Sequence, residues 1–251
     1  MRFLCFLSIL LSLLTGCGPG EILSPEIIPS DTQLCRDDSI GARWPKIPVK
    51  IYVQKANRLI HNVNGVFMDF AEHESIVDGT ELAVNAWNAA AGRQLLTFGG
   101  LIDRPQPFSA SDALSGGDLI VYLQSDWMGS FINKPTNILA IAYLYTGNGD
   151  RTIEESGIFM NTQTYYFYDT VRYEAMPDEY KGMLRGTRMI ADSATVLIHE
   201  IGHLLGLGHT PIESCTESVM VPTVRIGLHH SKRNLAKTDI ANIRELYEDV
   251  P

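Results

Sequence analysis

The chain has 251 residues, of which 45% are hydrophobic and 20% charged, and its formal net charge is −9 at pH 7. These values are typical of one globular domain and exclude a low-complexity or repeat protein. The negative charge leaves no basic surface for nucleic acid, so we expect no nucleic-acid partner, and we expect a monomer.

The first 16 residues predict a signal peptide. One cation, Arg2, precedes an apolar run at residues 3–14, and small residues follow that run. A membrane-spanning helix needs about 20 apolar residues, so this run is too short to span a bilayer and has the length of a secretory signal. We therefore expect the chain to be exported.

The end of this segment, LTGC at residues 14–17, resembles the lipobox of bacterial lipoproteins. The resemblance implies that residues 1–16 are removed and that a lipid is attached to Cys17. Such a lipid holds the protein on a membrane of the bacterial cell envelope, at the outer membrane or the cell surface. The alternative is an ordinary cleaved signal followed by an incidental cysteine.

The rest of the chain divides into a tether and a folded domain. Residues 17–41 are rich in Pro, Gly, Ser and Asp, which predicts a flexible tether, and residues 42–251 form the domain. Within the domain, β-branched or alternating runs predict strands, and an apolar helical face predicts a helix that Thr80 caps and Gly92 ends. The strands are predicted at residues 47–53, 117–124, 137–145 and 156–162, and this helix at residues 78–92.

An aromatic segment follows the last of these strands. Residues 161–191 carry five tyrosines and show no clear period, so their rings either pack into the core or line a substrate cleft. A helix is then predicted at residues 193–205. The final helix, within residues 238–250, begins with an N-cap at Thr238 or Asp239.

The helix that precedes Gly206 contains histidines at a spacing typical of a metal site. His199 and His203 are four residues apart, so a helix places both rings on one face, one turn apart. Glu200 lies beside the first histidine, where a carboxylate reaches a metal-bound water without being a ligand. Gly206 allows the positive φ that ends the helix, and His209 follows as a third nitrogen donor. Three imidazoles with an open fourth position predict one catalytic Zn²⁺ ion, because structural sites use four protein ligands.

The complete pattern H-E-x-x-H-x-x-G-x-x-H at residues 199–209 resembles the metzincin signature, and within that group the matrixins fit best. A bare H-E-x-x-H also occurs by chance, but here five positions match on a predicted helix. Further similarity lies in SVMVP around Met220, in RWPKIPVKIYV and in TDIANIRELY, so that it covers about residues 42–250. The resemblance implies an α+β fold with a twisted mixed β-sheet, a first helix, an active-site helix and a C-terminal helix.

The resemblance also implies a function, which is a zinc-dependent endopeptidase acting on extended protein substrates. Glu200 would assist the attack of the zinc-bound water, and Met220 would support the site from a turn beneath the zinc. The backbone at Leu139 and Ala140 would pair with the substrate as an added β-strand. The wall of the S1′ pocket would include Val221, Pro222 and Thr223.

Two departures from the matrixin pattern affect what the site and the disulfides are expected to be. Ile141 stands where matrixins have a histidine for a second, structural zinc, so we expect one zinc ion. Once Cys17 is acylated, Cys35 and Cys215 are the only cysteines left after the signal peptide, and in an oxidising compartment they most simply form a disulfide. A cysteine switch at Cys35 is the alternative, although TQLCRDD lacks the family's switch motif.

A second interpretation of the whole chain belongs to another functional class. The chain would be a catalytically inactive zinc-binding lipoprotein that acts as an interaction module. The intact Glu200 argues against this alternative, because a site that only binds metal has no use for a carboxylate at that position.

Overall fold

The structure is a computed structural model that describes residues 15–16, 18–19, 41–55, 59–63, 66–70, 72–107, 109–114, 117–129, 132–146, 151–175, 178, 189–224, 226 and 232–251. Cys17, Cys35 and nearly all of the predicted signal peptide and tether lie outside the described residues. Within the described part of the chain, no helix has both the length and the apolar character needed to cross a membrane.

Strands and helices alternate through most of the domain, and the longest helix precedes the central strands of the sheet. The strands are β1 (Thr15–Gly16), β2 (Gly18–Pro19), β3 (Val49–Gln54), β4 (Leu59–Val63), β5 (Val66–Phe70), β6 (Leu96–Ile102), β7 (Leu119–Gln124), β8 (Ala140–Thr146), β9 (Ile153–Asn161), β10 (Tyr165–Tyr168), β11 (Met189–Asp192) and β12 (Thr223–Val224). The helices are α1 (Glu72–Ala91), α2 (Ala110–Leu114), α3 (Thr170–Glu174), α4 (Ser193–Leu204) and α5 (Lys237–Tyr247).

A twisted mixed sheet forms the centre of the domain, in the order β6-β3-β7-β9-β8. The first four of these strands are parallel, and β8 runs antiparallel to β9 at one side of the sheet. The two-residue strand β1 pairs with the outer side of β8. Among the described residues there are also three separate pairs of strands: β4 with β5, β10 with β11, and β12 with β2. The α+β architecture with a mixed sheet is the one that the sequence predicted.

Helix α1 is longer than predicted. It begins at Glu72, so Thr80 lies inside the helix, where its Oγ1 donates to the Ile76 carbonyl at 2.7 Å. The predicted N-cap at Thr80 is therefore wrong: its hydroxyl bonds back to the preceding turn and caps no free backbone N–H. The C-terminal end is as predicted, because Gly92 has φ +69° directly after the last helical residue.

Strand β6 was not predicted, because the sequence FGG in its middle is typical of a turn. The structure explains both glycines. A Cβ on Gly99 would lie 2.4 Å from the Tyr52 ring, and Gly100 has φ +85° where the β3–β6 register shifts between Ile51 and Val53. The two glycines thus form an irregular step in a strand that still pairs in parallel with β3.

Helices α1 and α4 pack closely against each other on one side of the sheet. The Trp87 indole N–H donates to the Ile198 carbonyl at 2.9 Å, and both residues are fully buried. A Cβ on Gly79 would lie 2.9 Å from the Leu197 Cδ1 and 3.2 Å from the backbone at the start of α4, so the glycine favours this close approach of the helices. The long helix α1 therefore provides a rigid support for the histidine-bearing helix.

The tyrosine-rich segment packs into the protein where the structure describes it. Tyr165, Tyr166 and Tyr173 are all buried, and β10 runs parallel to β11, which leads directly into α4. Of the two predicted alternatives, these three side chains follow the packing one. The segment thereby leads into the N-terminal end of the histidine-bearing helix α4.

Candidate metal centre

Helix α4 places His199, Glu200 and His203 inside the protein, with relative exposures of 1%, 0% and 1%. The helix begins as predicted at Ser193, and Asp192 caps it by accepting the Thr195 backbone N–H at 3.0 Å. Burial of three ionisable side chains on one short helix costs free energy unless they are hydrogen-bonded or coordinate a metal ion.

The turn after the helix brings in the third histidine. Gly206 has φ +94°, as the sequence predicted, and its N–H donates to the His203 carbonyl at 2.8 Å. A Cβ at this position would also lie 2.0 Å from the Ala42 carbonyl oxygen, so the glycine is required by packing as well as by conformation. The chain reverses here, and His209, which is half-buried, returns to face the helix.

The three rings converge through their Nε2 atoms. Nε2 of His203 lies 2.9 Å from Nε2 of His199 and 3.2 Å from Nε2 of His209, and all three ligand atoms lie within 4.8 Å of one another. The sequence prediction that these three histidines meet is therefore confirmed in the structure.

Hydrogen bonds on the opposite side of two rings determine their tautomers. Nδ1 of His199 donates to the Val219 carbonyl and Nδ1 of His203 donates to the Leu207 carbonyl, both at 2.7 Å. A carbonyl only accepts, so each Nδ1 carries the proton and each Nε2 presents a lone pair. Such bonds orient a ligand ring and set which nitrogen binds the metal.

The electrostatic environment keeps these rings neutral. Burial lowers the pKa of His199 to about 3, with the nearby His209 acting in the same direction. Burial, together with the two neighbouring imidazoles, also holds the pKa of His203 well below its usual value. A neutral imidazole is the form that binds a metal ion.

This arrangement fits a zinc ion on its own chemistry. Two Nε2 lone pairs that face each other at 2.9 Å repel, and no proton lies between them, because both protons are on Nδ1. A cation that accepts both lone pairs removes that repulsion, and three neutral imidazoles are the donor set of a catalytic zinc site. The fold and the site thus define a mononuclear metal centre with a buried carboxylate, Glu200, on the same helix.

The turn containing Met220 packs against helix α4. Met220 is buried, and a Cβ on Gly202 would lie 2.4 Å from its sulfur, so the glycine allows the turn to approach α4. The Met220 carbonyl accepts the Thr210 N–H at 3.0 Å, which links the turn to the residue after His209. These contacts agree with a supporting role for Met220.

Asp239 connects this turn to helix α5. Its carboxylate accepts the Ser218 hydroxyl at 2.5 Å, the Val219 N–H at 3.0 Å and the Ala236 N–H at 2.8 Å. Ala236 is the N-cap, so the predicted N-cap at Thr238 or Asp239 is wrong: Asp239 lies one turn inside the helix and bonds back to the cap residue. The Val219 carbonyl accepts from His199. Asp239 is therefore connected to this histidine through the backbone of a single residue, Val219.

A buried ion pair at the start of α4 was not predicted. The Arg233 guanidinium donates to both carboxylate oxygens of Asp192, to the Thr170 hydroxyl at 3.0 Å, and lies 3.4 Å from Asp169. An N-cap aspartate is readable from the sequence, but its partner comes from 41 residues further along the chain. No local pattern indicates that pairing.

The predicted substrate-binding residues lie on two separate elements. Leu139 and Ala140 are buried at the start of β8, and the Leu139 carbonyl accepts from Asn161 at 2.9 Å. On the other side, Val221 is buried and Pro222 and Thr223 are half-buried, directly after the turn containing Met220. Their roles in binding a substrate remain predictions.

The structure describes the surroundings of Ile141 and the bonding state of Cys215, the two positions at which the chain departs from the matrixin pattern. Ile141 is fully buried in an apolar cluster with Tyr122, Trp127 and Phe159, on the side of the sheet away from the main core. Cys215 is a disulfide cysteine. The other three cysteines lie outside the described residues, so its pairing with Cys35 remains a prediction.

Comparison with known proteins agrees with the geometry of the site. The family model of the matrixins matches residues 118–248. Metalloendoproteinase 5-MMP from Arabidopsis thaliana is 44% identical over 62 residues, which are 25% of this chain and 16% of that protein. Matrilysin from Rattus norvegicus is 50% identical over 52 residues, which are 21% of this chain and 18% of that protein. The chain thus matches less than a fifth of the length of these curated relatives.

One solved structure, described as the GM1-bound form of the ECX AB5 holotoxin, covers 79% of this chain and 80% of its own, with a TM-score of 0.38 and 13% identity. That likeness is too weak to support any argument. The matrixin match, in contrast, covers more than half of the chain, and this protein belongs to the matrixin family. Matrixins are zinc metallopeptidases, and His199, His203 and His209 are positioned to bind one metal ion.

Proposed function

We propose that this protein is a zinc endopeptidase that hydrolyses peptide bonds in extended protein substrates, with Glu200 as its general base and acid. The observation that carries the proposal is the convergence of three Nε2 atoms, two of them from the helix that also carries the fully buried Glu200. Membership of the matrixin family supports the same activity.

In the proposed reaction, the three histidines and Glu200 would have different roles. His199, His203 and His209 would hold the zinc ion, which supplies Lewis-acid polarisation of the substrate carbonyl and acidification of water. The Glu200 carboxylate would take a proton from the attacking water and return it to the leaving amine. Burial of Glu200 keeps bulk water away from that proton, so the carboxylate delivers it to the amine.

Substitution of Glu200 tests this proposal. Glu200→Ala and the nearly isosteric Glu200→Gln leave the three imidazoles in place, so zinc content should stay near one ion per chain. Cleavage of a quenched peptide should fall by about 100- to 10,000-fold, because a positioned acid–base group contributes that much. Glu213→Gln, an exposed glutamate on the loop after His209, is the matched control and should cleave normally.

The same measurement separates the enzyme from an inactive zinc-binding module. His203→Ala should lose the metal together with the activity. If the wild-type chain with full zinc cleaves no peptide in a broad library, or if Glu200→Ala cleaves as fast as wild type, the peptidase proposal is wrong.

We also propose that the protein is a lipoprotein anchored to a membrane of the bacterial cell envelope through Cys17. The support is the LTGC sequence after a short apolar run that begins behind Arg2. Acyl chains contribute about 0.8 kcal/mol for each buried methylene, which is enough for two or three chains to hold a protein of this size on a bilayer.

Replacement of Cys17 tests the anchor. Cys17→Ser removes the only thiol at the LTGC junction, so the protein should leave the membrane fraction or accumulate as an unprocessed precursor. Fractionation and electrophoretic mobility measure both results. A variant that fractionates and migrates like wild type would contradict the lipoprotein proposal.

A further inference from the structure

Two residues at the start of β8, Leu139 and Ala140, are the predicted pairing partners of an extended substrate. Both are fully buried, and they pack in the same apolar core as Ile198 and Ile201 of the histidine-bearing helix α4. A substrate strand that pairs with them would therefore take its position relative to α4 from these two residues. The contacts that hold them in place are thus important for substrate binding.

Asn161, the last residue of β9, is fully buried and bonds to the segment that leads into β8. Its Nδ2 donates to the Ile138 carbonyl at 2.8 Å and to the Thr136 carbonyl at 3.2 Å. Its backbone N–H donates to the Leu139 carbonyl at 2.9 Å, and its Oδ1 accepts the Thr164 N–H at 3.0 Å. Three carbonyls just before β8 are therefore held by one residue.

The partners of the Asn161 amide determine its orientation. A carbonyl only accepts and a backbone N–H only donates, so Nδ2 faces the two carbonyls and Oδ1 faces Thr164. Neighbouring residues of a regular strand direct their carbonyls to opposite sides, but here the carbonyls of Ile138 and Leu139 both bond to Asn161. The regular strand β8 accordingly begins at Ala140. Asn161 thus sets where the edge that a substrate would use begins.

A second amide, that of Gln163, supports the beginning of the connection from β7 to β8 in the opposite way. Its Oε1 accepts the Trp127 N–H at 2.7 Å and the Met128 N–H at 3.2 Å. Gln163 is exposed and bonds to this connection as an acceptor, whereas Asn161 is buried and holds its other end with two donors. The same chemical change at the two positions therefore has different consequences.

We infer that Asn161 is a positioning residue for substrate binding, because its two amide N–H groups hold the start of β8 where an extended peptide pairs with it. This inference rests on the proposed peptidase function. In strand addition the main-chain hydrogen bonds provide the affinity, so a peptide depends more on Asn161 when more of its residues pair with β8. Asn161 acts through the backbone of residues 136–139 and takes no part in the chemical step.

The variant Asn161→Asp tests the inference with almost no change of shape. The carboxylate keeps the acceptor for Thr164 but turns an oxygen toward the carbonyls of Thr136 and Ile138, which lose their donors. For a quenched peptide long enough to pair along β8, KM should rise at least about tenfold while kcat changes much less, because buried carbonyls without donors move the segment out of place. In a series of shorter peptides with the same cleaved bond, the loss of kcat/KM should become smaller as the peptide is shortened.

Gln163→Glu is the matched control, because it makes the same chemical change and keeps the oxygen to which Trp127 and Met128 donate. It should cleave every peptide of the series like wild type. Asn161→Ala removes both donors without adding a charge, so it tests the inference independently if the aspartate prevents folding. Zinc content should stay near one ion per chain in all three variants.

A binding measurement gives a second readout that does not depend on cleavage. In the Glu200→Ala background, fluorescence anisotropy measures the affinity for the longest peptide, labelled with a fluorophore. Asn161→Asp should weaken that affinity at least about tenfold, and Gln163→Glu should leave it unchanged.

The outcomes separate this inference from the proposed function. If Asn161→Asp lowers kcat/KM by the same factor for every peptide length, or lowers kcat and leaves KM unchanged, Asn161 has only a structural role and the inference is wrong. Unchanged kinetics in Asn161→Asp would overturn it as well. If the wild type binds the longest peptide but cleaves no peptide, the peptidase proposal is wrong, and the binding measurement decides the inference by itself.

Discussion

At the scale of single residues, Asp239 is the side chain through which helix α5 reaches the metal centre. Its carboxylate accepts hydrogen bonds from the Ser218 hydroxyl and the Val219 N–H. The Val219 carbonyl in turn accepts from His199 and orients its ring. Partners that orient a metal ligand typically change metal affinity or activity by about 10- to 100-fold when they are removed.

We predict that Asp239→Asn weakens zinc binding by about tenfold or more while the domain stays folded. The amide keeps one acceptor oxygen, but it cannot accept from the Ser218 hydroxyl and two backbone N–H groups as a carboxylate does. Competition with a chelator measures the affinity, and circular dichroism measures the fold. Glu248→Gln, an exposed acid next to the same helix, is the control. Unchanged zinc affinity in Asp239→Asn would contradict a positioning role.

At the scale of elements, the start of α4 is held by a buried ion pair. Burial of the Asp192 carboxyl by itself would raise its pKa, but hydrogen bonds from Arg233 and Thr195 outweigh that effect and lower it below the usual value. The pair joins β11, α4 and the segment before α5, so the active-site helix is fixed at its N-terminal end as well as by Gly206 at its other end.

A lowered folded-state pKa gives this pair a defined pH dependence. Its contribution to the free energy of unfolding is complete above the unfolded pKa of about 3.9 and is lost as the pH falls through the lower folded pKa. We predict that Asp192→Asn lowers the free energy of unfolding by about 1 to 3 kcal/mol at pH 7, because the variant loses the helix cap and the ion pair. Urea unfolding at several pH values should show this difference shrinking below pH 4. A difference that grows in acid would contradict the assignment.

At the scale of the whole molecule, local patterns predicted most of the elements that carry the site. The histidine spacing, the glycine at the end of α4 and the apolar, turn-bounded runs of β3, β7, β8 and β9 depend on neighbours in the sequence, and the structure contains them. The three-histidine site could therefore be predicted without any knowledge of packing.

The features that escaped prediction depend on contacts between distant parts of the chain. Gly99 is explained by the ring of Tyr52, which belongs to another strand, and Arg233 finds Asp192 across 41 residues. The pairing of Thr15–Gly16 with β8 joins segments that are far apart in the sequence, and nothing in LTGC indicates it. Thr80 illustrates the converse, because a good local capping residue lies inside a helix that tertiary packing extends.

The measurement that tests the account most directly is a zinc titration of the metal-free chain. Protein stripped by a chelator should cleave no peptide, and activity should return in proportion to added zinc with a break at one ion per chain. One ion is expected because His199, His203 and His209 form the catalytic set, while Ile141 lies in an apolar cluster where a second site would need a histidine. Cleavage that survives zinc removal, or a break at two ions per chain, would contradict the account.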